Sequence, residues 1–436
     1  VPAHHDFFGQ FGMIADRHWY SQYPPGFPAL LAPFVLLGAP WLLNPLLGAL
    51  TVILIRRFAA RLYDEATGNF AALLAAVSPF AVFLAGSHMS HTATHFFVLA
   101  AFSFMMRDKP APGNAHACAA GAALGAAALC RPVTALAVAI PLAAAWLANL
   151  WKQPRRTIPP AACFLLAGFA AAALLLSYNS LTTGEPLLFG YEKLFGKEHT
   201  LGFGKNPWGP PHTPDTGWLH TIQRLAELRA NLFYCLFPSL LLPLLPFLMG
   251  KATRREYILG AVPLSLLGIQ FCYYYKEFFF PPRFLLESLF ALVTLAAVGM
   301  HHLAGWAAAS RRHAFIAVFL LLSMLPAAVM HLPVDIHRFS TSYGDVEDQL
   351  SATVTGLRIE EALIFMSNNA SDNDYYSSGF MLNDLDPNSG SLVFARDLGA
   401  RNQELRAAHA NKQAFLYTYH SQWDVGTIEQ LAASHP

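Results

Sequence analysis

The chain has 436 residues, 55% hydrophobic and 13% charged, with a net charge of +1 and a mean hydropathy of +0.37. Soluble domains carry about 25% charged residues, so an ordinary soluble enzyme is excluded, and the near-neutral balance leaves no electrostatic footprint for nucleic acid. Five cysteines, Cys118, Cys130, Cys163, Cys235 and Cys272, are dispersed in or beside apolar runs without metal spacing. They read as small buried residues rather than a disulfide framework.

The first stretch, "VPAHHDFFGQFGMIADRHWY", is polar and aromatic and has no signal-peptide pattern. It reads as the interior of a loop, and a native amino terminus is expected upstream of Val1. The next apolar segment, 24–38, is short for a span and opens with two prolines. It is expected to lie at the interface rather than cross.

About ten membrane helices follow: roughly 41–62, 66–87, 90–107, 113–130, 132–151, 157–178, 229–249, 255–275, 282–303 and 311–331. The pair Gly121 and Gly125 permits close helix approach. Basic clusters at 56–61, 107–109, 152–156, 251–255 and 311–312 fall on every second loop. The positive-inside rule places all five in the cytoplasm. The other side then receives residues 1–40, the "SHMSH" turn, the "CRP" turn at 130–132, the loop 179–228, "YKEFFFPPR" at 275–283, and everything after about 332. In that tail the runs 362–366, 392–395 and 414–419 read as strands and 402–410 as a helix, a small α/β domain. The expected division is 1–40 as part of a first loop with its interfacial helix, 41–331 as an all-α polytopic bundle that includes loop 179–228, and 332–436 as the tail domain.

Polar residues gather on the tail's side of the membrane. His88, His91 and His95 have i, i+3, i+7 spacing, which fits metal ligation, boundary hydrogen bonding or the wall of a polar cavity. No carboxylate or cysteine lies near them in sequence, and no metal site is assigned. Arg131 separates two apolar runs, and Arg283 and Glu287 have i, i+4 spacing at the start of another. Ionisable residues this close to the bilayer tend to face a bundle interior or a wet cavity. Headgroup snorkelling of the arginines, and simple pairing of Glu287 with Arg283, are the plainer alternatives. No P-loop, G-x-S-x-G or H-E-x-x-H occurs, which argues against an ATPase, a serine hydrolase and a zincin.

The stretches "WYSQYPPGFPALLAPFVLLGAPWLLNPLLGAL", "SHMSHTATHFF", "LCRPVTALAVAIPL", "YNSLTTGEPLLFGY", "LGFGKNP" with "HTPDTGWLHT", and "PPRFLLESLFALVTLAAVG" together resemble the bacterial GT-C membrane glycosyltransferases. The branch is that of protein O-mannosyltransferase-like and aminoarabinose-transferase-like enzymes, and the resemblance covers roughly residues 1–330. It implies a hexosyl or pentosyl donor on a polyprenyl phosphate, an extracytoplasmic glycan, lipid or protein acceptor, inversion at the transferred sugar, and no cofactor. It implies a multi-pass protein of the bacterial inner membrane with a periplasmic site. Arg131 and Arg283 match the family's basic positions near the donor phosphate. Tyr23 stands where some relatives have lysine, and His88 and His91 stand in the turn where some have aspartate. These, with Glu287, are expected to line the cavity. The family's principal acidic base falls upstream of Val1, so a weak or inactive fragment is expected, with Asp16 as a candidate in the same loop and Asp6 beside it. A flippase of lipid-linked glycan and an O-antigen polymerase or ligase are the alternatives. The first predicts mid-helix charges and symmetric halves; neither is evident.

Overall fold

A computed structural model describes residues 3–9, 12–106, 112–277, 280, 282–305, 311–340, 348–367, 379–384, 386–420 and 425–432. The basic cluster at 107–109, and positions 278, 279 and 281 of the "YKEFFFPPR" loop, lie outside the described residues. The chain forms two units: Tyr23–Pro333, and Val1–Gln22 together with Val334–Pro436.

The larger unit is helical. Its helices are α1 (Gly26–Leu36), α2 (Leu43–Leu62), α3 (Glu65–Ala76), α4 (Pro79–Ala85), α5 (His91–Met105), α6 (Asn114–Cys130), α7 (Pro132–Lys152), α8 (Pro154–Thr183), α9 (Gly190–Phe195), α10 (Pro214–Asn231), α11 (Leu241–Leu248), α12 (Arg254–Phe271) and α13 (Leu289–Ala304). The last helix, α14 (Arg312–Ser340), runs on into the other unit. Among the described residues, five helices are long and apolar enough to cross a membrane: Pro40–Leu62, Pro132–Lys152, Pro154–Thr183, Arg283–Ala304 and Ala314–Ser340. Up to six result if α3 and α4 make one broken span bent by 59°. The bend falls at Pro79, which has no amide hydrogen and pushes the residue before it out of helical geometry. This is a multi-pass membrane protein. The expected span at 229–249 is not a single helix: α10 ends at Asn231 and the eight-residue α11 starts at Leu241, with Pro238 in the gap. Nor is 179–228 a plain loop. It holds α9 and most of α10, whose start is fixed by a capping box between Thr213 and Thr216.

In the apolar 18-residue stretch of Arg283–Ala304, 94% of the residues are buried, against 6% in that of Pro154–Thr183. The first is therefore the core of the bundle and the second its outer face. Gly121 and Gly125 explain how α8 is held there. A methyl group on Gly121 would collide with the backbone of Phe164, and one on Gly125 would come within 2.5 Å of the Ala171 methyl. Gly121→Val is expected to force α6 and α8 apart at a cost of about 1–3 kcal/mol. Thermal unfolding in detergent checks this, and an unchanged midpoint contradicts the close packing.

In the smaller unit a hairpin, β1 (Met13–Ala15) and β2 (Trp19–Ser21), precedes a four-stranded sheet. The sheet contains β3 (Ala362–Met366), β4 (Leu392–Arg396), β5 (Gln413–His420) and β6 (Val425–Gln430) in the order β4-β3-β5-β6. Strands β4, β3 and β5 are parallel, with Ala362 opposite Leu392 and Gln413, and β6 is antiparallel to β5. All five residues of β3 are buried, as a central parallel strand with both faces covered requires. Ile364 and Met366 pack with Leu350 and Val354 of helix α15 (Gln349–Gly356). Leu363 and Phe365 pack on the other face with Leu405 of helix α16 (Asn402–Ala408) and with Phe7 and Phe8. The first residues of the chain thus complete the core of the last. Residues 1–40 are accordingly divided at Gln22 rather than kept together as one loop.

Candidate active site

The "SHMSH" turn is fixed from below. The buried Asn44 amide on α2 donates to the Ser87 and Met89 carbonyls at 2.6 and 2.8 Å. Helix α5 begins only at His91, so His88 precedes it and the three histidines do not share a helical face. His88 is exposed. His91 and His95 are buried, and the His95 ring stacks on Phe290 with centroids 6.1 Å apart. Among the described residues no group of three or more His, Cys, Asp or Glu is placed to hold a metal ion.

Glu287 is wholly buried, with Oε1 3.2 Å from His91 Nδ1 and 3.7 Å from Arg131 Nε. Its expected partner was Arg283. That spacing holds in an α-helix, but Arg283–Ser288 is a 3-10 turn. With three residues per turn, i and i+3 eclipse and i+4 is rotated away. Glu287 therefore faces His91 and Arg131, while Arg283 lies over the rings of Phe284 and Tyr275 at 5.1 and 5.9 Å. The Arg131 guanidinium carbon is 4.9 Å from the same Phe284 ring. Two cations thus meet on one aromatic residue, each gaining from its π face.

Arg131 sits between the end of α6 and Pro132 at the start of α7, out of helical conformation. Its polar contacts are long: 3.4 Å to Thr134 Oγ1, 3.5 Å to Ser90 Oγ and 3.7 Å to Glu287. Good N–H···O bonds run at 2.7–3.2 Å, so the donors of this partly exposed guanidinium retain capacity for an anion. Tyr23 is half exposed, and its ring meets Tyr191 edge-on at 5.6 Å. Burial pushes the Tyr191 phenol up, and the charge of Arg131 opposes that shift, which puts Tyr191 in electrostatic reach of the cluster. Asp16 belongs to the other unit. It is exposed at the β1–β2 turn and accepts from the His18 amide at 3.2 Å. Asp6 in the same unit pairs with Arg401 at 3.1 Å.

No family model and no curated protein matches the sequence. Solved structures do match. ArnT from Cupriavidus metallidurans bound to undecaprenyl phosphate is similar at a TM-score of 0.57 and 13% identity, over 95% of this chain and 86% of that one. The apo state of the same protein gives 0.55 and 15%, over 93% and 84%. The fold is similar to that of ArnT. The archaeal oligosaccharyltransferase AglB from Archaeoglobus fulgidus, in complex with an inhibitory peptide and a dolichol-phosphate, is more distant, at 0.41 and 11% over 92% and 62%.

Two charged residues of the bundle meet without any signal for it in the sequence. Arg224 on α10 and Glu277 form a buried ion pair at 3.1 Å. Arg224 is one of several charged residues on α10, and nothing local pairs it with a residue 53 positions on. A cluster of rings also went unread. His199 is surrounded by Tyr191, Phe195, Trp208, Tyr273 and Tyr274, at centroid distances of 5.1–6.4 Å. Burial holds its imidazole down to about 4, so it is neutral and able to accept from Tyr274. The density of aromatic residues in 189–208 and 271–275 was the available signal.

Proposed function

We propose that the chain is a membrane glycosyltransferase that takes a sugar from a polyprenyl-phosphate donor and passes it, with inversion, to a hydroxyl of an extracytoplasmic glycan, lipid or protein. The observation that carries this reading is the meeting of Arg131 and Arg283 over Phe284, inside a fold similar to that of ArnT bound to undecaprenyl phosphate. The sugar is a hexose or a pentose.

In this reaction the bond between the anomeric carbon and the phosphate oxygen breaks as the acceptor oxygen attacks from the opposite face. The electron pair leaves with the phosphate, and the acceptor proton goes to a base. Charge grows on the phosphate, so fixed cations in a low-dielectric site lower the barrier. Arg131 and Arg283 fill that role. Glu287 holds Arg131 and His91. Tyr23, His88 and His91 line the approach. The shorter helices α5, α6 and α12 join the five longer ones and the broken α3–α4 span to give nine of the about ten spans expected from the sequence. The 15 residues of α5 extend roughly 22 Å at 1.5 Å per residue, enough to cross where the bilayer thins locally. The cluster and the tail lie on the periplasmic side of a bacterial inner membrane.

The test uses the purified full-length protein in detergent with a polyprenyl-phosphate sugar and a mixed acceptor extract. Free polyprenyl phosphate is expected to accumulate as the donor is consumed. A protein that leaves the donor chemically intact in detergent, yet moves it across sealed vesicles, is a flippase and overturns the proposal.

A further inference from the structure

We propose that Arg224 and Glu277 form a positioning clamp that sets Arg283 and Phe284 for the donor phosphate, an inference that rests on the function proposed above. Arg224 is buried and spends its donors on three acceptors: Nη1 on the Gln270 carbonyl at 3.2 Å, Nη2 on the Tyr275 carbonyl at 2.8 Å, and Nε on Glu277 Oε1 at 3.1 Å. Helix α12 ends at Phe271, and the Gln270 carbonyl in its last turn accepts from the Tyr273 amide at 3.2 Å as well as from Arg224. A cation there also complements the helix dipole. Glu277 then uses its other oxygen, Oε2, to accept from the Phe284 amide at 3.2 Å. One guanidinium and one carboxylate therefore tie the end of α12 to the start of the turn that bears Arg283.

The tie reaches both aromatic supports of Arg283. Tyr275, whose carbonyl is held, presents its ring 5.9 Å from the Arg283 guanidinium carbon; Phe284, whose amide is held, presents its own at 5.1 Å. Phe284 also carries Arg131 at 4.9 Å. A shift of Phe284 moves the two cations relative to each other. Burial pushes the Glu277 carboxyl up, and Arg224 and Arg283 oppose it, so the carboxylate responds to both ends of the connection. A buried ion pair adds little to net stability compared with apolar packing, and one of its attested uses is to fix a conformation. Neither residue is assigned a contact with substrate, so both are positioning residues.

The conservative variant Arg224→Lys keeps the charge but replaces a planar fork with a point donor that cannot serve three acceptors. Small misplacements of a reacting group cost on the order of 100-fold in rate. Arg224→Lys in the full chain is expected to lower kcat toward that extent, with KM for the acceptor and folded yield unchanged. The deciding readout is a double-mutant cycle. If Arg224 acts through Arg283, the Arg224→Lys, Arg283→Ala protein is no slower than Arg283→Ala alone. If it serves folding only, the two losses multiply, and the clamp is wrong. Should Arg224→Lys fail to fold, Glu277→Gln takes its place. It retains an acceptor for Arg224, exchanges the oxygen that receives the Phe284 amide for a donor, and is judged by the same cycle. If the unaltered chain turns over no lipid-phosphate sugar, the functional reading fails separately, and the clamp is judged by hydrogen exchange. Faster exchange of the Phe284 amide in either variant supports it, and unchanged exchange overturns it.

Discussion

Glu287→Ala is expected to destabilise the helical unit by about 3–5 kcal/mol, the usual result of breaking a buried ion pair by removing one member. Glu287 is fully buried on the core element of the bundle and is the carboxylate shared by His91 and Arg131. Its loss removes methylenes from a packed site and strands a guanidinium that has only long contacts otherwise. Glu287→Gln keeps volume and an acceptor, and is expected to lose less. Thermal and denaturant unfolding in detergent measure both. If Glu287→Ala unfolds at the parental midpoint, the carboxylate is not holding the arginine.

In the full-length enzyme, Arg131→Ala and Arg283→Ala are each expected to slow turnover of a polyprenyl-phosphate sugar by 100- to 1000-fold. Removing one donor to developing negative charge commonly costs about 2.7–4 kcal/mol of transition-state stabilisation. Lysine keeps the charge but loses the planar fork, so Arg→Lys should retain part of the activity. Rates are compared per folded molecule, because Arg131→Ala also leaves Glu287 with His91 alone. Headgroup snorkelling predicts little loss in either variant, and close to parental turnover in both would establish it.

The sequence was legible where one physical pattern dominated. In the tail, apolar runs bounded by polar turns gave β3, β4, β5 and α16 nearly at their observed limits. Strand β6, "VGTIEQ", was passed over because half of it is polar, as an edge strand allows. Between 229 and 249 hydropathy hid a break, since an apolar residue in a gap looks the same as one in a helix. The resemblance to GT-C enzymes pointed to Arg131 and Arg283, which the fold brings to one ring. What no linear reading supplied was direction. A 3-10 turn in place of a helix turned Glu287 away from Arg283 and toward His91, and the Arg224–Glu277 pair joins elements far apart in the chain. Phe7 and Phe8 were read as part of a loop because their β3 partners, Leu363 and Phe365, come some 350 residues later.

Equilibrium binding of undecaprenyl phosphate to the purified chain, followed by calorimetry in detergent, bears most directly on whether Arg131 and Arg283 hold a lipid phosphate. One site per chain is expected, abolished in the Arg131→Ala, Arg283→Ala double variant and lacking for the uncharged alcohol undecaprenol. Equal binding by the double variant, or equal binding of undecaprenol, would contradict a phosphate site built on these two arginines.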